Sequence, residues 1–439
     1  MPSAPRVTRG FFPLDEELEL LPGALTPSLV ETIVRLGTWM PFVPVTKSVA
    51  YFCKVDLAEA TARRKTEEAG RAYVEVQTAQ VAALEGGEDL PAEVGPSLLQ
   101  MSVDGAMVPL RHKAWGEVKT LAIGVVGQPI QKDGEWEVHT EQLSYFSRMT
   151  DHETFARLAT VETHRRGVAT AQTVCAVNDG AEWNQKFVDD QRFDAVRILD
   201  WGHGAEHVAE VGRALHGTDT PAARTWLSEQ LKEFKTGDSV RVLGDIGQLR
   251  DGLAAGTQAR VDPDALGVVT SNLAYFEKRR EQIRYAEFEQ LGYPIGSGIV
   301  ESGNKLVVEV RMKGAGMHWA PEHVDPMVAL RTVACADRWD EAWPQISVRL
   351  RERFHERSAL RRTARQVAAL VDPPMPPTPM GTTPEEISVL ESPVASAIPI
   401  TSVPPRPEEN QAARQTGPRR PSPNHPWRQS IVRKSSKVA

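Results

Sequence analysis

Residues 292–319 read GYPIGSGIVESGNKLVVEVRMKGAGMHW, a glycine-rich turn followed by apolar residues at helical spacing. This pattern predicts that a helix starts near residue 299, with Glu301 in its first turn. Ser297 or Ser302 would cap that helix, and the helix dipole favours a carboxylate at this end. An ordinary helix terminus and a functional carboxylate are both compatible with these residues.

Cationic side chains follow this carboxylate along the chain. Lys305 lies about one helical turn later, and Arg311, Lys313 and His318 precede the aromatic Trp319 in a run broken by glycines. A carboxylate beside such a loop is typical of a site that holds a metal ion and a polyanion together. Such a site needs further carboxylates from elsewhere in the chain.

The composition leaves room for two or three domains. The chain has 439 residues, of which 41% are hydrophobic, and its formal net charge of −7 does not indicate a nucleic-acid partner. The three cysteines, Cys53, Cys175 and Cys335, form no CxxC pair, which argues against a disulfide scaffold or a cysteine-rich zinc finger. We find no signal peptide and no run of about 18 apolar residues, so we expect a protein of the reducing cytoplasm that spans no membrane.

The N-terminal part is predicted to be helical. Residues 1–25 are predicted to be a flexible lead-in. Over residues 26–85, a Thr-Pro cap predicts one helix, and apolar periodicity predicts two more over 45–52 and 57–76. The three helices are compatible with a helix-turn-helix DNA-binding domain and equally with a plain helical domain. Residues 84–97 have the glycine, proline and acid content of a linker.

Strand patterning begins at residue 98. The runs LLQMSVDG, AMVPLRH and EVKTLAIGVVG predict a three-strand meander whose first strand ends at Asp104. Helices and strands then alternate up to residue 216, and the two further strands end at Asp179 and Asp200. The order β-β-β-α-β-α-β-α predicts an α/β fold with a ribonuclease-H-like mixed sheet flanked by helices, so 98–216 is the first part of a catalytic core.

An all-helical insertion is predicted over residues 217–291, before the helix that carries Glu301. The end of this insertion interleaves aromatic and arginine side chains, namely Tyr275, Phe276, Arg279, Arg280, Arg284 and Tyr285. This pattern suits phosphate contacts and base stacking, and it equally suits an amphipathic helix with a solvated charged face.

The remainder divides into three segments. Residues 292–345 complete the core, with a buried helix predicted over 329–343. Residues 346–370 form an Arg-rich helix, and its run of seven arginines against two glutamates over 349–365 is compatible with a solvated face or with nucleic-acid contact. Residues 371–439 are rich in proline and basic near their end, which predicts a disordered tail that adds sequence-independent DNA affinity.

Three carboxylates stand at the ends of predicted elements rather than on solvated faces. They are Asp104, Asp179 and Glu301. In the expected sheet the first and fourth strands are neighbours and the Glu301 helix crosses them, so the three side chains would converge. Clustered carboxylates repel one another unless a cation lies among them, and all-oxygen sites select Mg²⁺ or Mn²⁺. Two such ions activate a water or a 3′-hydroxyl for phosphoryl displacement on DNA, so we expect these residues to be both catalytic and metal-binding.

A second cluster of polar residues follows the last strand. Asp200 precedes His203 and His207, which stand four residues apart. This spacing could begin a zinc site, but HGAEH lacks the glutamate of a metalloprotease motif and no third ligand is evident. His203 could orient one of the carboxylates, contact DNA or be a structural histidine.

Four motifs together resemble a known family. The segments SVDGAMVPL, VNDGAEWNQ, ILDWGHGAEHV and YPIGSGIVESGNK…RMKGAGMHW, which span 102–319, resemble DDE transposases of the bacterial ISKra type, relatives of the Mutator-like group. In that family the first aspartate, the second aspartate and the glutamate correspond to Asp104, Asp179 and Glu301. The resemblance supports the order of carboxylates that the strand pattern predicts.

The remaining family features also have counterparts in this chain. Asp200 and His203 match the Asp-x-x-His signature as accessory residues near the site, and residues 217–291 match the helical insertion. The resemblance implies two divalent metal ions, Mg²⁺ or Mn²⁺, in a ribonuclease-H-like domain that moves an insertion sequence through its terminal inverted repeats.

The resemblance also implies partners. They are the double-stranded DNA of the inverted repeats and of the target, and further copies of the chain in a homo-oligomer at the cytoplasmic nucleoid. We expect DNA contacts from six cationic side chains, Lys305, Arg311, Lys313, Arg279, Arg280 and Arg284. Two other functions remain compatible with the sequence, namely a transposase-derived DNA-binding protein without activity and a ribonuclease-H-fold repair nuclease.

Overall fold

A computed structural model describes residues 25–132, 135–260 and 262–371. The described residues belong to one compact unit. The predicted lead-in up to residue 24 and the predicted tail from residue 372 lie outside the described residues.

A mixed five-stranded sheet lies at the centre of this unit. Its strands, in the order β5-β2-β1-β6-β7, are β1 (Leu98–Pro109), β2 (Trp115–Val126), β5 (Thr140–Arg148), β6 (Thr173–Asn178) and β7 (Val196–Leu199). Strands β1, β2 and β5 pair antiparallel, whereas β6 and β7 run parallel to β1. A separate hairpin is formed by β3 (Ile130–Lys132) and β4 (Glu135–Glu137). The predicted α/β class and mixed sheet are thus confirmed.

The predicted meander is wrong, because β1 does not end at Asp104 and the runs predicted as the first two strands form this single strand. The strand continues to residue 109, and Asp104 and Gly105 pair with Thr120 and Lys119 of β2. Gly105 is therefore a point of close approach rather than a turn, since a Cβ there would overlap the side chain of Glu117. The third strand of the meander is β5, which the sequence analysis did not identify.

Helices in the N-terminal part form as the sequence predicts. They are α1 (Pro27–Trp39), α2 (Phe42–Cys53) and α3 (Glu59–Glu85). The predicted cap is present, since the Thr26 hydroxyl accepts a hydrogen bond from the Leu29 N–H at 3.4 Å. The third helix is longer than predicted and runs into the expected linker. Apolar residues of α1 and α3 share a core with the C-terminal helices, so these helices form one layer of the compact unit.

Three helices alternate with the last strands of the sheet along the chain. They are α4 (His152–Arg165), α5 (Glu182–Arg192) and α6 (Trp201–His216), which match the predicted alternation. The segment after α6 is all-helical as predicted, with α7 (Pro221–Thr236), α8 (Ser239–Ala254), α9 (Ala265–Glu277) and α10 (Tyr285–Gln290). Their apolar faces form one core with β7 and α6, in which Phe276 and Tyr285 are fully buried. These two aromatic rings are therefore core residues, and the interpretation as base-stacking groups is wrong for them.

The C-terminal part begins with the helix that carries Glu301. It comprises α11 (Gly298–Gly303), a π-helical segment (Asn304–Glu309), α12 (Val310–Met312), α13 (Val324–Cys335) and α14 (Trp339–Val371). The predicted helix over 329–343 is interrupted at residues 336–338, which separate α13 from α14. Asp337 there has a φ of +53°, which a right-handed helix does not allow. No helix among the described residues is long and apolar enough to cross a membrane.

We predict that the crossing of α3 and α13 depends on Gly70. A Cβ on this buried glycine would overlap the backbone carbonyl of Pro326, which cannot move as a side chain could. Gly70→Ala should therefore lower the free energy of unfolding by about 1–3 kcal/mol in urea titrations.

A matched glycine provides the control for this prediction. Gly244 is exposed within α8, and a Cβ there would meet nothing within 4 Å. Gly244→Ala should stabilise the protein by about 0.5–1 kcal/mol because alanine has the higher helix propensity. Equal effects of the two substitutions would contradict the close packing at Gly70.

Candidate active site

Two of the predicted carboxylates lie just beyond the point where the pairing of two neighbouring strands, β1 and β6, ends. The parallel pairing of β1 with β6 ends at Met101 opposite Ala176, and Asp104 and Asp179 are each three residues beyond this last pair. The Asn178 side chain joins the two strands there, because its Oδ1 accepts a hydrogen bond from the Val103 N–H at 2.7 Å. The sheet itself therefore places Asp104 beside Asp179.

The helical insertion holds the turn that carries Asp179. The Tyr275 hydroxyl donates to the Asp179 carbonyl at 2.6 Å, and Arg279 Nε donates to the Gly180 carbonyl at 3.1 Å. Gly180 has a φ of +82°, and a Cβ there would lie 2.5 Å from Arg279 Nε. Only glycine fits this turn, so the Asp-Gly sequence has a packing reason as well as a conformational one.

Two hydrogen bonds from residues that follow Asp179 in the chain orient its carboxylate. Its Oδ1 accepts hydrogen bonds from the Ala181 N–H at 2.9 Å and from Asn184 Nδ2 at 2.5 Å. Both donors lie at the start of α5. The carboxylate is thereby fixed with one oxygen engaged.

The third predicted carboxylate, Glu301, lies in the first turn of α11 as predicted. Its side chain is exposed, and the nearest polar partner of its Oε1 is the Ser297 hydroxyl at 3.5 Å. Asn304, one helical turn later, donates from Nδ2 to Asp104 Oδ2 at 2.8 Å. Glu301 therefore lies on the helix that contacts Asp104 directly.

A glycine allows α11 to lie against the sheet. A Cβ on Gly303 would be 2.8 Å from the ring of Tyr145 in β5 and close to Thr120 in β2. The small residue therefore sets the distance between the Glu301 helix and the strands. Ser297 occupies the cap position, but its side chain makes no cap hydrogen bond and faces Glu301 instead.

Asp200 joins the end of β7 to the glycine-rich turn. Its Oδ2 accepts from the backbone N–H and from Nδ1 of His203, both at 2.9 Å, and so caps α6. Its Oδ1 accepts from the Ser297 N–H at 2.6 Å. A neighbouring backbone bond, from the Trp201 N–H to the Ile295 carbonyl at 2.9 Å, strengthens this junction.

The electrostatics of the site reflect these contacts. Burial raises the pKa of Asp104, and the negative charge of Asp179 raises it further, while hydrogen bonds from Gly105 and Asn304 oppose the shift. The hydrogen bond to Asp200 raises the pKa of His203 to about 9, with help from the charge of Asp179. His203 is therefore a cation at neutral pH, and its charge in turn opposes the rise in the pKa of Asp104.

The pKa of Asp200 moves in the opposite direction. Burial alone would raise it, but hydrogen bonds from His203 and Ser297 outweigh burial and lower the pKa to about 2. Asp200 is therefore ionised at neutral pH although its side chain is almost fully buried. It forms a structural ion pair with His203.

The donor chemistry of the site fits a hard divalent cation. Asp104 and Asp179 supply carboxylate oxygens, and Asn304 Oδ1 is buried without a hydrogen-bond partner among the described residues. The side chains are not gathered into a closed ligand set, because no three His, Cys, Asp or Glu side chains within 25–132, 135–260 and 262–371 are close enough to hold a metal ion. Glu301 stays at the solvent-exposed rim of the site.

Of the six cationic side chains predicted to contact DNA, two have a structural role. Arg311 is 2% exposed, donates from Nε to the Gly37 carbonyl at 3.1 Å and lies over the rings of Phe42 and Trp319. The prediction of a DNA contact is wrong for Arg311, because its guanidinium is enclosed. Arg279 lies on the Tyr275 ring and holds the Gly180 carbonyl, so it positions the Asp179 turn.

The other four predicted DNA contacts are exposed. Lys313 forms an ion pair with Glu309 at 2.7 Å, and Arg284 forms one with Glu281 at 3.1 Å. Lys305 and Arg280 reach solvent. These residues remain available to a ligand, and their predicted contacts with DNA stay predictions.

His207 does not combine with His203 in a metal site. Its Nδ1 lies 2.6 Å from Asn272 Oδ1, and its ring stacks on Tyr275 with the centroids 3.9 Å apart. His207 is therefore a packing residue between α6 and α9.

Three further residues shape the site, beyond those that the sequence pattern predicts. Asn304 follows Glu301 by three residues within the same motif, and this helical spacing is the signal that could have revealed it. Asn178 and Asn184 flank Asp179, but their roles depend on contacts with the neighbouring strand and the turn. Sequence spacing alone does not reveal such contacts.

We predict that the Asp200–His203 pair makes stability depend on pH. His203 has a raised pKa, so its contribution is complete below about pH 6.5 and is lost as the pH rises through about 9. The lowered pKa of Asp200 makes its contribution complete above about pH 3.8, and that contribution is lost as the pH falls through about 2. His203 is 43% exposed, so we expect only about 1 kcal/mol after solvent screening.

The measurement compares wild type with His203→Gln in urea titrations at about pH 6 and about pH 10, in the presence of a chelator. The wild-type advantage should be about 1 kcal/mol at the lower pH and close to zero at the higher. His318→Gln, at an exposed histidine near the Gly316 carbonyl, is the control. An advantage of wild type that is the same at both pH values would contradict the ion pair.

No protein-family model matches the chain, and no curated protein sequence is significantly similar to it. The function is therefore inferred from the geometry of the chain's own residues.

Proposed function

We propose that the chain is a DDE-type transposase, which binds the terminal inverted repeats of an insertion sequence and cleaves and joins DNA strands. The observation that carries this proposal is the placement of Asp104 beside Asp179, with the Glu301 helix joined to Asp104 through Asn304. The strand order β5-β2-β1-β6-β7 supports a ribonuclease-H-like core, in which neighbouring central strands present two aspartates to one helix.

Asp104, Asp179 and Glu301 would hold two divalent cations, Mg²⁺ or Mn²⁺. When bound, such ions activate the attacking water or 3′-hydroxyl and stabilise the leaving oxygen of a phosphoryl transfer. The protein contributes the orientation of the ligands. The hydrogen bonds from Gly105 and Asn304 favour the ionised form of Asp104, and those from Ala181 and Asn184 fix one oxygen of Asp179.

His203 would balance charge at the same site. The charge of its imidazolium acts on Asp104 and Asp179 and lowers the repulsion between their carboxylates. Asp200 holds His203 in this position and at the same time holds Ser297, whose hydroxyl faces Glu301. The pair thereby acts as a positioning device for the Glu301 helix.

A second candidate function is a transposase-derived DNA-binding protein without catalytic activity. The specific observation in its favour is that Glu301 is exposed and that, among the described residues, it does not form with Asp104 and Asp179 a group close enough to hold a metal ion. A ribonuclease-H-fold repair nuclease would cleave DNA but would not join strands. Cleavage and joining therefore separate the three functions.

We predict that Glu301→Gln, Asp104→Asn and Asp179→Asn each lower strand cleavage by roughly 100-fold or more, because each removes a ligand charge. The assay uses the full chain and linear DNA that carries the element's own ends, with Mg²⁺, Mn²⁺ or a chelator. Wild type should cut at the ends and join them to target DNA only when the metal is present. DNA binding should stay within a few-fold of wild type in all three variants.

Glu309→Gln is the matched control for Glu301→Gln. Glu309 lies in the π-helical segment that follows α11 and forms an ion pair with Lys313. Glu309→Gln should leave strand cleavage unchanged. Normal cleavage by any one of the three variants would remove that residue from the proposed site, and end binding without cleavage in any metal would favour the DNA-binding protein.

A further inference from the structure

A basic groove lies between α3 and α14, on a part of the unit that the proposed active site does not use. It has a volume of about 280 Å³. The residues that line it and matter here are Arg64, Lys65 and Glu68 from α3 and Arg353, Phe354, Arg357 and Arg361 from α14. Five of these seven side chains are cationic and one is acidic, although the chain as a whole carries a net charge of −7.

The acidic groups near the groove are shared between cations. Glu68 lies 3.6 Å from Arg64 and 3.8 Å from Lys65, so a single carboxylate serves two positive charges. At the groove's far end, Glu75 accepts from Arg349 at 2.7 Å and lies 3.4 Å from Arg353.

Among the described residues, only one of the three arginines Arg353, Arg357 and Arg361 has an acidic partner, namely Arg353 with Glu75. Nη1 of Arg353 is buried and has no hydrogen-bond partner among the described residues, since its 3.4 Å contact with Glu75 is not a hydrogen bond. Arg357 and Arg361 form no ion pair within the described part of the chain. The groove therefore retains excess positive charge.

The burial of part of this charge favours an anionic ligand. The Lys65 side chain is only 12% exposed, and burial lowers its pKa, as does the nearby Arg64, while Glu68 opposes the shift. Positive groups that are crowded and partly dehydrated are stabilised when an anion replaces their lost water and separates their charges.

The spacing of the arginines favours a polymeric anion. Arg353, Arg357 and Arg361 recur every four residues on one face of α14, which places them along a stripe roughly 12 Å long at 1.5 Å per residue. A single phosphate ion cannot span this stripe, whereas successive phosphates of one strand can follow it. Phe354 lines the same groove and is 47% exposed, so an aromatic face is available beside the stripe.

We propose that the groove between α3 and α14 binds the phosphate backbone of a nucleic-acid strand. The identity of the polyanion rests on the proposed function, but the binding itself requires no catalysis. Arg357 and Arg361 contact successive phosphates, and the partly buried Arg353 adds its positive charge at the end of the stripe. Lys65 lies at the opposite wall, and Phe354 stacks on a base where the strand is unpaired.

The test measures binding of the full chain to fluorescently labelled oligonucleotides by anisotropy, in a chelator so that no DNA is cut. A single strand and a duplex of about 20 nucleotides per strand are the two probes. Arg361→Gln should weaken binding about fivefold, which is the upper range for one exposed ion pair. It should also reduce the slope of log affinity against log salt by about 0.7 for the single strand or about 0.9 for the duplex.

Arg362→Gln is the matched control, because Arg362 is the next residue, carries the same charge and does not line the groove. It should change affinity less than twofold. The double variant Arg357→Gln/Arg361→Gln should reduce the salt slope by about twice as much as Arg361→Gln. Equal losses in Arg361→Gln and Arg362→Gln, or no loss in either, would overturn the proposal.

The kind of nucleic acid and the specificity are read from two further comparisons. If Phe354→Leu weakens the single strand but not the duplex, the groove holds unpaired bases; if it weakens neither while the arginine variants weaken the duplex, the groove holds a duplex backbone. Both results support the proposal. Displacement of either probe by polyglutamate as efficiently as by unlabelled DNA would overturn it, since an acidic protein segment would then serve equally well.

Failure of this proposal is distinguishable from failure of the proposed function. Cleavage that depends on Glu301, together with binding that does not depend on Arg361, would overturn only the groove. Binding that depends on Arg361, together with no cleavage in any metal, would overturn only the catalytic proposal.

Discussion

The buried carboxylate of Asp200 is the interaction on which the site depends. Its two oxygens hold the start of α6 on one side and the Ser297 N–H on the other, across 97 positions of sequence. The chain between these anchors forms the helical insertion. The Asp200–Ser297 hydrogen bond and the neighbouring Trp201–Ile295 hydrogen bond join the two ends of this insertion. The Glu301 helix therefore meets the sheet at a defined place.

The helical insertion contributes directly to the candidate active site. Tyr275 and Arg279 hold the backbone carbonyls of Asp179 and Gly180, and their side chains leave room only for a glycine at the turn. The same α9 helix buries Phe276 against α6 and β7. Folding of the insertion and placement of Asp179 are therefore linked through one helix.

The sequence predicted those parts of the fold whose ends are marked by local sequence signals. The strand before Asp179, the helices on either side of it and the all-helical insertion were predicted because short apolar runs, Asp-Gly pairs and helix caps mark their ends. The end of β1 was misplaced because Asp104-Gly105 has the same composition as a turn. Only its pairing with Thr120 and Lys119, which comes from another strand, shows that the chain continues extended. Long-range pairing of this kind leaves no local signal.

The arginines show most clearly that long-range contacts cannot be predicted from local sequence. Local residue pattern does not separate Arg311 from Arg361, since both stand in helical segments near aromatic residues. In the structure Arg311, together with Arg331, is enclosed and binds backbone carbonyls of α1 and of the π-helical segment, where the i→i−4 pattern is interrupted. These guanidinium groups join the Glu301 segment to the N-terminal helices and are not available to a ligand. Arg361 is exposed to solvent, so the tertiary contacts, rather than the residue type, decide which arginines can contact a polyanion.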